Sequence, residues 1–226
     1  MHSQTVEDYL KTIFLIHRKQ GKVTTTALAE YLSVAPASVT GMLKKLAEMN
    51  LVLYEPYQGV ELTESGRKIA LEVLRHHRLV ELYLAEALGV PWDQVHEEAE
   101  KWEHVLSERM EERMDALLGY PTTDPHGSPI PTLEGNIAAR PDKHLSDLQP
   151  GEQAVIAEVS DHDSALLRYL ADKGLTPQAT VEMVAIDPFG DPLTIRTNGQ
   201  ACVIGREAAN HVLVVDIAPS PLTDLD

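Results

Sequence analysis

Residues 36–62, PASVTGMLKKLAEMNLVLYEPYQGVEL, contain the pattern that decides the fold of the N-terminal part of the chain. Pro36 is favoured at the first position of a helix, and apolar residues then recur at helical spacing up to Met49. Two short apolar runs follow, Leu51–Tyr54 and Val60–Leu62, and they flank a loop that contains proline and glycine. This arrangement predicts one helix followed by a β-hairpin.

Two further helices are predicted upstream, over residues 5–18 and 25–32, because apolar side chains recur there every three or four residues. Three helices followed by a hairpin are typical of a winged helix-turn-helix. In that fold, side chains near the start of the third helix reach the edges of DNA bases, and the hairpin contacts phosphate or the minor groove. A winged helix that binds protein instead of DNA is the alternative that this pattern leaves open.

The predicted DNA-contacting residues lie at the start of the third helix, along its exposed side and in the hairpin loop. They are Ala35, Pro36, Ala37, Ser38, Thr40, Gly41, Lys44, Lys45, Tyr57 and Gln58. Because the helical part of this set has no Arg, Asn or Gln for bidentate base contacts, we expect readout by DNA shape and through water. Lys44 and Lys45 suit the phosphates.

The middle of the chain predicts a long helix from Thr63 to Leu88 and a second helix over Trp92–Leu118. His77 and Glu81 are four residues apart on the first of these, so both point the same way. On the second, taking His96 as zero and about 100° per residue, Glu100 lies near 40°, Glu103 near −20° and His104 near 80°. Two imidazoles and two carboxylates therefore share one face.

Imidazole and carboxylate ligands without thiolate suit Mn²⁺, Fe²⁺, Co²⁺ or Zn²⁺, and oxygen-rich ligation favours Mn²⁺. Asp8 on the first helix would add another hard oxygen. A solvated acidic face with incidental histidines is the alternative. The other histidines are predicted to be solvent-facing or packing residues: His2, His17, His126, His144 and His211.

The C-terminal part begins after a proline-rich stretch, Gly119–Pro150, which holds six of the fourteen prolines and predicts an irregular connection. Beyond it, five short strand-like runs and one helix, Ser164–Asp172, predict a small β-barrel. The expected fold class is therefore α+β, in several domains.

Composition adds two constraints. One cysteine, Cys202, rules out an intrachain disulfide, and no segment resembles a signal peptide or a membrane span, so we expect a soluble cytoplasmic protein. The net charge is −16, but residues 1–75 carry nine Lys or Arg against eight Asp or Glu. The acidic excess therefore lies outside the predicted DNA-binding part, where it would oppose nonspecific DNA contact.

At these motifs the chain resembles the diphtheria toxin repressor family of metal-dependent regulators, in particular its manganese-responsive branch in a three-domain form. The motifs are VEDYL at 6–10, residues 36–46, LTESGR at 62–67, HRLVE at 77–81, VHEEAEKWEH at 95–104 and PHGSPIP at 125–131. Together they extend over most of the chain.

The resemblance implies a winged helix-turn-helix domain at 1–66, a helical dimerisation and metal-binding domain at 67–120, a proline-rich linker at 121–149 and an SH3-like domain at 150–226. It implies a homodimer that binds double-stranded operator DNA when loaded with metal, usually to repress genes of metal uptake. An enzymatic activity and a small-molecule substrate are not expected.

The resemblance also implies two ions per protomer. One would be held by Asp8, Glu100, Glu103 and His104. The other would be held by His77, Glu81 and His96, completed from the C-terminal domain by Asp163. Iron-type members have Met and Cys at the positions of Asp8 and Glu100, so the hard oxygens here favour Mn²⁺. One departure is Lys11, where manganese-type members without the third domain have an acidic ligand.

Two other functions remain open at this stage. An iron(II)-responsive regulator of the same architecture would use the same residues. A metallohydrolase would also present His and Glu around a metal, but it needs an open coordination position and a substrate cleft, and a helix-turn-helix is not expected in one.

Overall fold

The computed structural model describes residues 3–56, 58–189 and 191–217. Along these residues the chain divides into two units. The first comprises Met1–Val80, Ala99–Leu117 and Ile130–Ile137, and the second comprises Glu81–Glu98, Leu118–Pro129 and Ala138–Asp226. Within the described ranges, no helix is both long enough and apolar enough to cross a membrane.

The first unit opens with three helices and a two-stranded antiparallel hairpin, as the sequence predicts. They are α1 (Gln4–Gln20), α2 (Thr25–Tyr31), α3 (Pro36–Glu48), β1 (Val52–Glu55) and β2 (Gly59–Leu62). The Thr24 hydroxyl accepts a hydrogen bond from the Ala27 N–H and so caps α2, and Pro36 starts α3. The winged helix-turn-helix prediction is confirmed.

The core of this unit consists of aliphatic and aromatic side chains from the three helices, the hairpin and the next helix, α4 (Glu64–Leu88). Leu10, Leu28, Val39, Leu43 and Leu46 are fully buried. Gly66, in the first turns of α4, is required by close approach, because a Cβ at this position would lie 2.0 Å from the Leu51 carbonyl oxygen. The start of α4 is thereby fixed against the end of the DNA-binding motif.

The helix predicted over Trp92–Leu118 is wrong as a single element, because it forms two helices, α5 (Val95–Trp102) and α6 (Glu108–Leu117). The Glu103 N–H still donates to the Ala99 carbonyl, and a tight turn follows. Ser107 is the physical reason for the break. Its carbonyl accepts from two N–H groups of α6, and serine is a residue that starts helices.

A buried ionic cluster joins α4 to α6 and to the chain near residue 131. The Arg75 guanidinium donates to Glu111, to Asp115 at 2.7 Å and to the Pro131 carbonyl at 2.8 Å. His76 lies between Glu111 and the Glu103 carbonyl. Burial raises the pKa of Glu111, but the hydrogen bond from His76 and the charge of Arg75 outweigh burial and lower it. The cluster therefore needs Glu111 ionised.

The second unit contains a five-stranded antiparallel sheet in the order β6-β5-β4-β3-β7. The strands are β3 (Gln153–Val159), β4 (Thr180–Ile186), β5 (Leu193–Thr197), β6 (Gln200–Ile204) and β7 (Val212–Asp216), and two helices are inserted, α7 (Ser164–Asp172) and α8 (Arg206–Ala209). Alternate strand residues and one face of α7 form a separate apolar core. Five predicted strands and one helix are therefore present, and the α+β class is confirmed.

The proline-rich stretch has no helix or strand up to a 3₁₀ turn at Leu145–Asp147, as expected. It is nevertheless held firmly. Ile130 is buried in the first unit. In the second unit, Gly127 has φ +87°, and a Cβ there would lie 2.0 Å from the Ala157 carbonyl oxygen. Only glycine fits that approach of the loop to β3.

Candidate metal centres and DNA-contacting surface

The first candidate metal centre is formed by Asp8 of α1 and by Glu103 and His104, which directly follow α5. Their donor atoms lie within 4.8 Å of one another. The His104 Nε2 is 2.8 Å from Asp8 Oδ1 and 3.2 Å from Glu103 Oε1. Three of the four residues predicted for the first ion are thus brought together, from parts of the sequence about ninety residues apart.

Glu7 orients His104, a role that the sequence analysis missed. The His104 Nδ1–H donates to Glu7 at 2.7 Å, so Nε2 is directed at the two carboxylates. Histidines that bind metal usually donate their other N–H to a carboxylate or a carbonyl in this way. The available signal was the position of Glu7, next to Asp8 in the first turns of α1.

Glu100, the fourth predicted ligand, is paired with a lysine. The Lys11 ammonium donates to Glu100 at 2.8 Å and to the two oxygens of Glu103 at 2.6 and 2.9 Å. Lys11 is 6% exposed, so this ammonium is a buried cation between two carboxylates. Glu100 therefore does not belong to the group of Asp8, Glu103 and His104.

The pKa shifts in this centre follow from burial and charge. Burial raises the pKa of the Asp8 carboxyl. Burial also raises the pKa of Glu103, but the hydrogen bond from His77 and the charge of Lys11 outweigh it and lower the pKa. Burial lowers the pKa of Lys11, and Glu103 and Glu100 outweigh it and raise the pKa. Lys11 and Glu103 thus stabilise each other in their charged forms.

His77 lies beside Glu103 in the first unit. Its Nδ1 donates to Glu103 Oε2 at 2.5 Å and is 3.7 Å from Glu100. The resemblance assigned His77 to the second ion, so its hydrogen bond to a residue predicted for the first ion was not foreseen.

The second candidate centre, in the second unit, is formed by Glu81, His96 and Asp161, again with donor atoms within 4.8 Å. The His96 Nδ1 is 3.2 Å from Glu81 and 3.9 Å from Asp161. Burial and Glu81 raise the pKa of Asp161, but the surrounding imidazoles, His162 foremost, outweigh them and lower it. Glu81 and His96 were both predicted for the second ion.

Asp163, predicted to complete the second ion, has another role. Its side chain accepts hydrogen bonds from the N–H groups of Ala165 and Leu166 at 2.8 and 3.2 Å and caps α7. Aspartate is a preferred N-cap because its carboxylate satisfies N–H groups that the first turn leaves unpaired. Asp161, two residues earlier, is the acidic residue that faces Glu81 and His96, and it replaces Asp163 in the candidate set.

A third group of possible donors was not predicted at all. Glu81, Asp124 and His126 are buried, and one donor atom of each lies within 4.8 Å of the others. The sequence analysis placed His126 among packing residues.

The predicted DNA-contacting surface is exposed at most of its positions. Residues 35–38 and Gly41, Lys44, Lys45 and Gln58 are exposed, and Thr40 is half-buried. The Thr40 hydroxyl donates to the Pro36 carbonyl at 3.0 Å, so only its acceptor lone pairs remain for DNA. Tyr57 lies outside the described residues.

Comparison with known proteins gives a consistent result along the chain. Residues 1–60 match the model for the N-terminal DNA-binding domain of iron-dependent repressors, residues 63–132 match their metal-binding and dimerisation domain, and residues 143–216 match the FeoA domain. The iron-dependent repressor IdeR of Mycobacterium leprae is 33% identical over 223 residues, covering 93% of this chain and 96% of the relative. The chain belongs to the iron-dependent repressor family, which includes the diphtheria toxin repressor.

Solved structures of this family agree with that assignment. A manganese-dependent transcriptional repressor in complex with manganese is 37% identical with a TM-score of 0.87, covering 94% of this chain and all of the other. The repressor ScaR with bound Zn²⁺ is 32% identical with a TM-score of 0.78, covering 94% and 99%.

Family membership establishes the function class. The chain is a metal-dependent, DNA-binding transcriptional repressor with a C-terminal SH3-like domain of the FeoA type. The metallohydrolase alternative is set aside, because this is a family of transcriptional repressors and not of enzymes.

Proposed function

We propose that this protein binds operator DNA as a homodimer when Mn²⁺ is held by two ligand sets in each protomer, and that it represses genes of metal uptake. The observation that carries the proposal is the first centre. Asp8 of α1 lies 2.8 Å from His104, which follows α5. A ligand from the DNA-binding part of the unit thus meets ligands from the metal-binding part.

The chemistry of this donor set fits Mn²⁺. Two carboxylates and one imidazole offer hard oxygens and a borderline nitrogen, and no sulfur is present. We include Glu100 as a further ligand, because it shares the Lys11 ammonium with Glu103 and would be close to the centre once that ammonium moved. For the second ion we propose Glu81, His96 and Asp161.

Residues of the first unit account for the coupling between metal and DNA. A divalent ion supplies two positive charges and short bonds that carboxylates on separate helices can share. Without such an ion, Lys11 compensates Glu100 and Glu103, and both ring nitrogens of His104 face carboxylates. Asp8 remains attached to this centre only through His104 among the contacts described. Bonds from the ion to Asp8 would fix the position of α1 relative to Glu103 and His104. Metal and operator DNA would then favour the same conformation, so the binding of each would raise the affinity for the other.

For DNA binding we propose the exposed surface at the start of α3 together with the β1–β2 hairpin, which is the wing of this fold. Small side chains at 35–38 and Gly41 allow the helix to enter the groove closely, and Lys44 and Lys45 would contact phosphates. Tyr57 and Gln58 at the wing are proposed to contact phosphate or the minor groove. The sequence readout would then come mainly from the shape of the DNA.

Dimerisation is proposed through the middle helices. Trp102, Val105, Met110 and Leu117 are 36%, 69%, 46% and 68% exposed on the first unit. Large exposed apolar side chains on neighbouring elements mark interaction surfaces. They fall within residues 63–132, which match a metal-binding and dimerisation domain. We propose that the DNA-binding domain extends over 1–66, the dimerisation and metal-binding domain over 67–120 and the SH3-like domain over 150–226, with a linker at 121–149.

The proposal is tested by metal-dependent DNA binding. Double-stranded DNA is selected from a random library by the Mn²⁺-loaded protein, and its affinity is then measured by fluorescence anisotropy with Mn²⁺ or with EDTA. We expect Mn²⁺ to strengthen binding at least tenfold and Asp8→Asn to abolish that gain. Glu207→Gln, which removes an exposed charge in the second unit, is the control and should retain it. Equal stimulation of wild type and Asp8→Asn would refute the proposed centre.

Fe²⁺ is the second candidate metal, because the curated relatives such as the one from Mycobacterium leprae are described as iron-dependent. Anaerobic titration with Fe²⁺ beside Mn²⁺ separates the two. The hard donors predict that Glu100→Cys shifts the preference towards Fe²⁺ or Zn²⁺. An unchanged order of metals in that variant would contradict the argument for Mn²⁺.

A further inference from the structure

The wing has no basic side chain of its own. Residues 52–62 contain two acidic residues, Glu55 and Glu61, and neither Lys nor Arg. DNA phosphates repel carboxylates, and a protein that neutralises phosphates does so with Lys and Arg. A hairpin of this composition therefore needs a cation from a neighbouring segment if it is to lie against the DNA backbone.

The segment between α1 and α2 lies alongside the wing. The Val60 N–H donates to the Val23 carbonyl at 3.1 Å, and the two residues form an antiparallel β-bridge. Gly59 makes this close approach possible, because it has φ +118° and a Cβ there would lie 2.8 Å from the Val23 carbonyl oxygen. Val23 thus adds a third chain segment to the hairpin, next to β2.

Lys22 precedes this bridge, and its side chain extends over the wing. A Cβ at Gly59 would lie 3.7 Å from Lys22 Cε, so the end of the lysine side chain is beside the wing backbone. Lys22 is exposed and Val23 is buried, as expected where side chains alternate along extended backbone. The ammonium is therefore presented at the edge of the wing, close to Gln58, which precedes Gly59.

Two structural roles for this lysine find no support. Basic side chains in the last turn of a helix stabilise its terminal carbonyls, which accounts for residues 17–19, but Lys22 comes after the C-cap, Gly21. The β-bridge places Lys22 opposite Glu61, yet its ammonium forms no ion pair or hydrogen bond with any residue that the structure describes. Neither the helix end nor Glu61 explains a cation at this position.

We propose that Lys22 contacts a DNA phosphate at the edge of the wing and so forms, with Gln58, a phosphate-binding strip separate from Lys44 and Lys45 of α3. The inference rests on the proposed function, since it adds a contact to the proposed DNA-binding surface. A lysine ammonium is a point charge on a flexible stem, which suits phosphate without reading sequence. Two copies of Lys22 in a dimer would neutralise two phosphates.

The first test is the salt dependence of DNA binding. DNA selected by the Mn²⁺-loaded full chain is titrated by fluorescence anisotropy at several KCl concentrations with the wild type, Lys22→Ala, Lys22→Arg and Lys173→Ala. We expect Lys22→Ala to lower the slope of log K against log salt by about 2 and to weaken binding to all sequences alike. Lys22→Arg, which keeps the charge, and Lys173→Ala, in the second unit, should retain the wild-type slope. An unchanged slope in Lys22→Ala would overturn the inference.

The second test separates a direct contact from a general effect of charge. One phosphate at a time is replaced by a neutral methylphosphonate in each half of the selected DNA, and the affinity of each duplex is measured. We expect at least one replacement to weaken the wild type and Lys44→Ala but not Lys22→Ala. If every replacement weakens Lys22→Ala as much as the wild type, the contact is refuted.

The wild type distinguishes failure of this inference from failure of the proposed function. Mn²⁺-stimulated DNA binding by the wild type, together with an unchanged slope in Lys22→Ala, would overturn the Lys22 contact alone. A wild type whose DNA binding does not respond to Mn²⁺ would overturn the proposed function as well.

Discussion

Lys11 determines how the first centre behaves without metal. Its ammonium is buried, and Glu103, to which it donates, has a fully buried side chain. Removing two such charges from water is expensive, and each compensates the other. A divalent ion that reaches Glu103 must therefore compete with a cation that belongs to the chain itself. The family resemblance implies an acidic ligand at this position in manganese-type members without the third domain, and Lys11 would give this centre a different charge balance.

Lys11→Met is expected to destabilise the metal-free protein by about 3–5 kcal/mol, because the buried Glu103 carboxylate loses the cation that, together with His77, compensates its charge. Mn²⁺ should then raise the Tm more in the variant than in the wild type. Thermal unfolding in EDTA and in Mn²⁺ measures both effects. Lys44→Met, at an exposed position, should change the stability by less than about 0.5 kcal/mol. Equal stabilities of Lys11→Met and wild type in EDTA would refute the role given to this pair.

Glu111 makes stability depend on pH in the acid range. Its pKa is lowered in the folded protein from 4.5, so its contribution is fully present above about pH 4.5 and is lost as the pH falls towards the folded-state pKa. Glu111→Gln should therefore flatten the decline of the urea midpoint between about pH 5 and pH 3. Glu112→Gln, the exposed neighbour, should leave the slope unchanged. An unaltered slope in Glu111→Gln would contradict the ionised cluster.

At the scale of elements, local patterns predicted α1 to α4 and the hairpin because apolar spacing, Thr24 and Pro36 mark their faces and starts. The break between α5 and α6 was missed, since the acidic residues on both sides of Ser107 continue a helical pattern. The sequence also could not show which of Asp161 and Asp163 faces Glu81 and His96 and which one caps α7. Which of them caps α7 depends on where the chain leaves β3, and that is set by tertiary packing and not by local sequence.

The start of α4 gives a prediction at this scale. Gly66→Ala should cost about 1–3 kcal/mol, because the new methyl would lie 2.0 Å from the Leu51 carbonyl and the backbone must shift. Gly41→Ala in α3 is the matched control, since a methyl group added there would meet no atom within 4 Å and alanine favours helix. Urea denaturation compares the two variants. A loss of stability in Gly41→Ala alone would contradict the packing described for α4.

For the whole molecule, the distribution of charge decides how the protein meets DNA. The chain has a net charge of −16, yet its first 75 residues are close to neutral, with nine basic and eight acidic side chains. The acidic remainder opposes nonspecific contact with DNA, whereas the near-neutral part that contains α3 and the β1–β2 hairpin does not. Phosphate contacts by a few lysines should therefore control affinity, and that affinity should depend on salt.

Lys44→Ala is expected to weaken binding to all DNA sequences alike and to reduce the slope of log K against log salt by about 2, since a dimer would lose two phosphate contacts. Anisotropy titrations at several salt concentrations, with Mn²⁺ in excess, measure the slope. Lys173→Ala should leave it unchanged, because that ammonium packs over Tyr169 in the second unit. If Lys44→Ala does not alter the slope, Lys44 does not contact DNA phosphate, and the prediction is wrong.

Glu7 and Asp8 lie near the beginning of α1, where the N–H groups of Val6 and Glu7 donate hydrogen bonds to the Ser3 carbonyl. Helix ends open more readily than helix centres, so the sensing chemistry depends on a turn that frays easily. The practical consequence concerns protein preparation. We expect a purification tag fused just ahead of α1 to loosen that turn and weaken ion binding, and a tag fused after residue 226 to leave the turn intact.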